Sequence, residues 1–177
     1  MNSVKLNQWD VVSTEPSAMD VEDLTVELHD AASPYDLVDT AVGTLHSNGS
    51  LSVTFNTASA GSYYVAVKGR NLVQTWTATP QAIGTTPLNY DFSSAASQAY
   101  GDNMIEVEPG IFAIYQGDLS PDDLVDTQDY PIWELSYLSG DFGVQSSDLN
   151  GDGLVDTQDY PIWEANYLLG VFAAYPF

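Results

Sequence analysis

The sequence predicts a mainly β protein with a small α part: an antiparallel β-sandwich followed by a duplicated C-terminal loop–helix unit. Three observations predict it. Apolar and polar residues alternate with period two in several short runs between residues 24 and 92, the pattern of strands with one buried face. The run Leu-Val-Asp-Thr-Gln-Asp-Tyr-Pro-Ile-Trp-Glu occurs twice, at 124–134 and 154–164. The chain is strongly acidic, with 25 acids against 3 bases, yet 44% hydrophobic and 12% aromatic, which is too apolar for a disordered segment. Its 177 residues suffice for one large or two small domains. Three segments are read: an N-terminal extended strand over 1–12, a sandwich domain over 13–116 and the duplicated unit over 117–177.

Residues 1–12 read as an isolated strand, Val4 and Leu6 alternating with Lys5 and Asn7, then Trp9 and Val11 around Asp10. The change of phase at Asn7-Gln8 predicts a bulge. Residues 13–23, acidic and interrupted by Pro16, read as a linker or loop. Such a detached strand can fold back on its own domain or add to the sheet of a neighbouring molecule. Within the sandwich, Leu24, Val26 and Leu28 form one alternating run, Leu51, Val53 and Phe55 a second, and Tyr63, Val65 and Val67 a third. Turn signals separate them at Ser33-Pro34, Ser47-Asn48-Gly49, Ala60-Gly61 and Gly69-Arg70-Asn71. Weaker strands are expected at 72–78 and 88–92. A last strand over 111–115 is expected to complete the sheet and lead into the duplicated unit. Residues 93–103 read as a long loop with a helical turn.

The C-terminal unit carries the most specific pattern. In the stretch 148–159, Asp148, Asn150, Asp152, Asp156 and Asp159 occupy the first, third, fifth, ninth and twelfth positions, with Gly153 at the sixth. This is EF-hand spacing. Calcium is a hard cation that takes six to eight oxygens. A tight loop can turn alternate side chains towards one centre, with Leu154 offering its backbone carbonyl at the seventh position. Asp118, Ser120, Asp122, Asp126 and Asp129 repeat the pattern 30 residues earlier, with Leu124 at the seventh position. Asp123 stands there in place of the glycine, so a residue with a side chain must adopt a left-handed backbone. Two calcium sites are expected, the second the tighter. A helix is expected after each loop, over about 127–138 and 157–168, capped by Asp126 and Asp156 and stopped by Gly140 and Gly170. Tyr130, Trp133 and Tyr137 form one apolar stripe, with Ile132 and Leu135 on another, so each helix needs two partners.

These loops resemble the tandem calcium repeats of dockerin modules, in which each loop precedes one helix and aspartate closes the twelfth position. The sandwich ahead of them is immunoglobulin-like in its pattern of short strands. Such a pair is similar to the terminal region of many bacterial secreted and cell-surface proteins. The resemblance covers roughly the last third of the chain and implies bound calcium. Dockerin helices usually carry a basic residue or two that help to bind a cohesin partner. Here Tyr130-Pro131-Ile132-Trp133 and Tyr160-Pro161-Ile162-Trp163 stand instead.

Composition excludes other functions. Nothing after Arg70 is basic, and twelve acids lie between Asp118 and the C-terminus. A region so charged repels itself unless cations bind. Two calcium ions, contributing +4, would bring the formal charge from −22 to −18. Nucleic acid would be repelled, and no run is apolar enough for membrane insertion. The sequence at Met1 lacks the apolar core of a signal peptide, so the chain reads as a mature form or a fragment. Cysteine is absent, so there is neither a disulfide nor a thiol nucleophile. His29 and His46 read as surface residues, and Glu106 and Glu108 as a solvated loop. No catalytic residue or enzyme activity is expected. Tyr63, Tyr64, Trp76 and Tyr90 could form a sugar platform, but packing is the preferred reading. Asn48-Gly49-Ser50 matches an N-glycosylation acceptor, and Asp39-Thr40-Ala41 resembles short sites modified on Thr40 in some bacterial secreted proteins.

Apolar residues at both ends predict docking onto something. The leading expectation is an extracellular, calcium-stabilised structural protein of the bacterial cell surface. It would be a fimbria-like filament subunit that self-associates into a homopolymer by strand or terminal docking. The alternative is a non-catalytic binding module at the end of a larger secreted enzyme or adhesin, with a cohesin-like protein or a glycan as partner.

Overall fold

A computed structural model of the chain describes residues 2–5 and 20–177. The described strands are β1 (Asn2–Lys5), β2 (Asp20–Asp30), β3 (Leu37–His46), β4 (Ser50–Val53), β5 (Gly61–Lys68), β6 (Thr75–Trp76), β7 (Gln81–Ile83), β8 (Asn89–Asp91), β9 (Ile105–Glu108) and β10 (Ile111–Ala113). The helices α1 (Tyr130–Ser139) and α2 (Tyr160–Leu169) follow. The larger sheet is antiparallel and runs β3-β2-β5-β6, with β7 also on β5. A smaller sheet runs β4-β1-β8, antiparallel at β4 and parallel at β8.

Leu24, Val26 and Leu28 alternate along β2, so all three face the same way, and all are fully buried. They share one core with Val65 and Val67 of β5, Leu51 and Val53 of β4, and Phe92. Each such side chain contributes about 1.5–3 kcal/mol on burial. At Gly43 of β3 the strands come too close for a side chain: a Cβ would lie 2.6 Å from Leu51 Cδ1 and 2.8 Å from the Ser52 carbonyl. The opposite face of the larger sheet carries Glu27, His29, Tyr64, Lys68 and Trp76, by the registers Glu27–Ala66, His29–Tyr64 and Ala66–Trp76. This face is covered too, which is why Ala66 is fully buried.

A second core is built from Leu119, Val125, Trp133, Leu149, Val155, Trp163, Val171 and Ala173, together with Val73 from the sandwich. Most of it is duplicated: Leu119, Val125 and Trp133 recur 30 residues on as Leu149, Val155 and Trp163. The two parts are stitched by backbone, since Val73 N–H donates to Tyr115 O at 2.9 Å and Gly117 N–H to Asn71 O at 2.9 Å.

Several expectations are corrected. The stretch 13–23 is not all linker, because β2 begins at Asp20. Of the two alternatives for the N-terminal strand, residues 2–5 take the first and pair within their own chain, Val4 opposite Leu51 and Tyr90. The expected bulge at Asn7-Gln8 lies outside the described residues. Residues 111–113 do not complete the main sheet but pair with β9, so Glu106 and Glu108 lie on a strand and not in a loop. Each helix starts three residues later than expected. Pro131 and Pro161 lie at the second helical residue, where a missing N–H costs nothing, and the residues before them form a turn. Gly140 and Gly170 end the helices in the left-handed conformation, as expected. His29 is not a surface residue, since its ring lies 4.1 Å from that of Trp76. The Trp76 side chain is packed among His29, Tyr64 and Tyr175 rather than laid open as a platform.

Candidate metal centre

The two acidic loops share one frame of hydrogen bonds around their twelfth-position aspartates. Asp129 is fully buried; its Oδ1 accepts from Leu119 N and Ser120 N at 2.8 and 2.9 Å, and its Oδ2 from Asp126 N at 2.7 Å. Asp159 repeats this with Leu149 N, Asn150 N and Asp156 N at 2.7, 3.0 and 2.8 Å. The twelfth-position carboxylate thus ties the start of its loop to the start of the following helix. It does not cap that helix, and neither does Asp126 or Asp156 in the way expected. Their Oδ1 atoms accept from Gln128 N and Gln158 N at 2.6 and 2.7 Å, within the turn ahead of the helix.

At the first position, Asp118 accepts from Asp122 N and Asp123 N, and Asp148 from Gly151 N and Gly153 N. Both carboxylates are buried. Asp122 and Asp152 accept from Leu124 N and Leu154 N, and Asn150 from Asp152 N. Burial pushes the Asp118 carboxyl up to about 6, against the pull of the Asp122 and Asp123 amides. Burial also raises Asp159, opposed by its three backbone donors. Both shifts arise first from burial, which disfavours the charged form of each carboxyl.

These residues fit a hard divalent cation in the kind of donor they offer. Every side chain at the ligand positions carries oxygen. Leu124 and Leu154 add backbone carbonyls, and the buried Ser120 Oγ has no hydrogen-bond partner. Among the described residues, no three acidic or histidine side chains are already drawn together as a cage. The physical reason is visible in the bonds above, since each carboxylate is engaged by loop amides. The departure at the glycine position has a backbone explanation. Asp123 takes a φ of +68° and Gly153 one of +87°, so both loops make the same turn and the aspartate bears the strain.

The loops are cross-paired. Phe142 bridges Leu154 and Phe172 bridges Leu124, each next to a backbone bond, Gly143 N to Gly153 O and Ala173 N to Asp123 O, both 2.8 Å. The helices meet through the rings of Tyr130, Trp133, Tyr160 and Trp163, and each helix carries one stacked pair of its own. Trp133 stacks on Tyr137 at 5.2 Å and Trp163 on Tyr167 at 5.0 Å, both within 6° of parallel. Towards the sandwich the helices differ. Buried Asn166 of α2 donates to Gln116 O at 2.7 Å, while the matching residue of α1 is Ser136. That junction was not legible in the sequence, because an asparagine among apolar helix residues carries no local sign of a partner 50 positions away.

The two glycosylation candidates lie at exposed places. Asn48 is on the turn between β3 and β4, its Oδ1 accepting from Ser50 N and Ser50 Oγ. Thr40 is exposed on β3 beside Asp39, which accepts from Thr57 N and Ala58 N at 2.9 Å.

The fold and the site define a chain of mainly antiparallel β-sheets followed by two helices, with one copy of a duplicated acidic loop ahead of each helix. Among solved structures, the chain is similar to one described as a C-terminal interface mutant of a type II Cohesin-X-Dockerin complex from Acetivibrio cellulolyticus. The likeness has a TM-score of 0.55 at 15% identity and covers 96% of this chain and 95% of that one. It is also similar to an N-terminal interface mutant of the same type of complex, with a TM-score of 0.52 at 16% identity, covering 94% and 96%. Both are likenesses of fold. No protein-family model and no curated protein matches the chain. No helix of the described residues is long and apolar enough to cross a membrane.

Proposed function

We propose that the chain is a non-catalytic, extracellular binding module. Its calcium-held loop–helix pair engages a cohesin-like protein partner, and its sandwich fixes the direction in which that pair is presented. One observation carries the reading: two loops with the same acidic spacing, each closed by a fully buried aspartate, Asp129 and Asp159, that accepts from the three equivalent loop amides. Two calcium ions supply the positive charge that the protein itself does not place there. Asp118, Ser120, Asp122, Leu124, Asp126 and Asp129 would hold the first ion. Asp148, Asn150, Asp152, Leu154, Asp156 and Asp159 would hold the second. The bound ions would order the loops and so fix both helices.

The helix surfaces support a protein partner. Leu138 and Leu168 are each 75% exposed and Leu135 is 68% exposed, so both helices present large apolar side chains to solvent. The likeness to Cohesin-X-Dockerin structures extends over nearly the whole chain, so it includes both the sandwich and the loop–helix pair. The filament reading has less support. The backbone of residues 2–5, from the strand that would be donated, is paired in its own sheet.

The test is calorimetric titration of a type II cohesin module into the full chain, in calcium and in EDTA. Saturable one-to-one binding seen only in calcium is expected. Absence of binding to a panel of such modules, with calcium bound, would sink the partner assignment while leaving the metal assignment standing.

A further inference from the structure

We propose that Asp123 is a coupling residue that ties occupancy of the first acidic loop to the sandwich through Gln74. The inference rests on the calcium reading above. Asp123 stands where the loop pattern calls for glycine. Asp123 pays a left-handed backbone where the second loop uses Gly153. A Cβ on Gly153 would meet nothing within 4 Å. The extra side chain in the first loop, by contrast, reaches the sandwich. Gln74 is buried beside both Trp76 and Asp123, and its amide is assigned the orientation that satisfies both neighbours, the oxygen accepting from the Trp76 indole N–H at 3.0 Å and the nitrogen donating to Asp123 Oδ2 at 3.3 Å. The opposite amide orientation would put that nitrogen 3.5 Å from Glu27 Oε2 and break both bonds.

The contact belongs to a larger polar cluster on the outer face of the main sheet. Glu27 Oε2 lies 3.3 Å from Lys68 Nζ and 3.1 Å from His29 Nε2, and His29 stacks on Trp76. The backbone of Asp123 contributes as well, its carbonyl accepting from Ala173 N at 2.8 Å. Asp123 therefore joins three parts: the first loop, the segment after α2, and strands β2, β5 and β6. Its amide is also held by Asp118, a first-position ligand candidate, at 3.0 Å. Ordering Asp118 on a cation thus orders Asp123, and Asp123 orders Gln74. The second loop has no such residue, so the two sites differ in what they report to the sandwich.

Amide hydrogen exchange of the full chain, in calcium and in chelator, tests this. In the unmodified chain calcium should slow exchange in residues 61–77 by about tenfold, besides slowing it in 118–177. In Asp123→Gly, calcium should still protect 118–177 but change 61–77 by less than about twofold. Asp123→Asn keeps an acceptor oxygen for Gln74 and tolerates the left-handed backbone, so it should restore most of the response. Gln74→Met removes the same tie from the sandwich side and should behave like the glycine variant. Undiminished protection of 61–77 in both Asp123→Gly and Gln74→Met overturns the coupling alone. Absence of calcium binding to the unmodified chain overturns the coupling together with the reading beneath it.

Discussion

Tyr130 and Tyr160 meet edge to face, their ring centres 6.1 Å apart and their planes at 85°. They are the first residues of α1 and α2, so the two helices start side by side. The other rings repeat about this contact, Tyr130 lying 5.6 Å from Trp163 and Tyr160 5.2 Å from Trp133. Trp133→Ala and Trp163→Ala should therefore cost similar amounts, about 3–5 kcal/mol each. Urea unfolding in calcium measures this. A difference of more than about 2 kcal/mol between the two would mean that the repeats do not share their core equally.

Calcium titration of the full chain should give two ions per chain, and Asp148→Ala should leave one. Asp148 is buried and holds the amides of Gly151 and Gly153, so alanine removes a ligand candidate and frees two loop donors. Unchanged stoichiometry would exclude the second loop as a metal site.

Acid should act on the first loop in two ways. Burial puts the Asp118 carboxyl at about 6 in the folded chain, above its ordinary value of 3.8. A raised carboxyl favours the protonated folded form. Without calcium, its contribution to stability is therefore fully present below about pH 4 and lost as pH rises through about 6. With calcium, protons compete for the same oxygens, so affinity at the first loop should fall as pH drops through about 6. Calorimetry at pH 5 and pH 7 checks the second effect, and thermal unfolding in chelator checks the first.

The sandwich should show the opposite sign. The amides of Thr57 and Ala58 hold the Asp39 carboxyl at about 2. This depressed value contributes stability that is present above about pH 4 and lost as pH falls through about 2. Asp39→Ala should abolish that step and open the segment after β4 to proteolysis at neutral pH, because Thr57 N and Ala58 N lose their acceptor. An unchanged digestion pattern would show that the segment is held by something else.

Where local pattern decides structure, the sequence was readable. Leu24, Val26 and Leu28 alternate and are buried together, and the repeat at 124–134 and 154–164 folds twice in the same way. Gly140 and Gly170 stop their helices because only a left-handed residue suits the place. The acidic loops were legible as ligand patterns, but not as the internally bonded loops seen here. Whether a carboxylate meets an amide or a cation is not written in its spacing. β9 was missed because Glu106 and Glu108 face solvent on a short edge hairpin, which looks like a charged loop. Asp123 was read only as a flaw in a metal loop. Its partner Gln74 lies 49 positions earlier (123 − 74), and no periodicity signals a contact at that range.

The short pairing of 115–117 with 71–73 governs how the molecule responds to load. The chain passes from sandwich to first loop with no slack, because Tyr115 O and Gly117 N are already held by Val73 N and Asn71 O. Asn71 Nδ2 adds a bond to Ser146 O, and Asn103 Nδ2 one to Phe172 O. Anything gripping the helices thus grips the sandwich as well. The two halves turn as one lever, and swivelling them apart would break several of these ties at once.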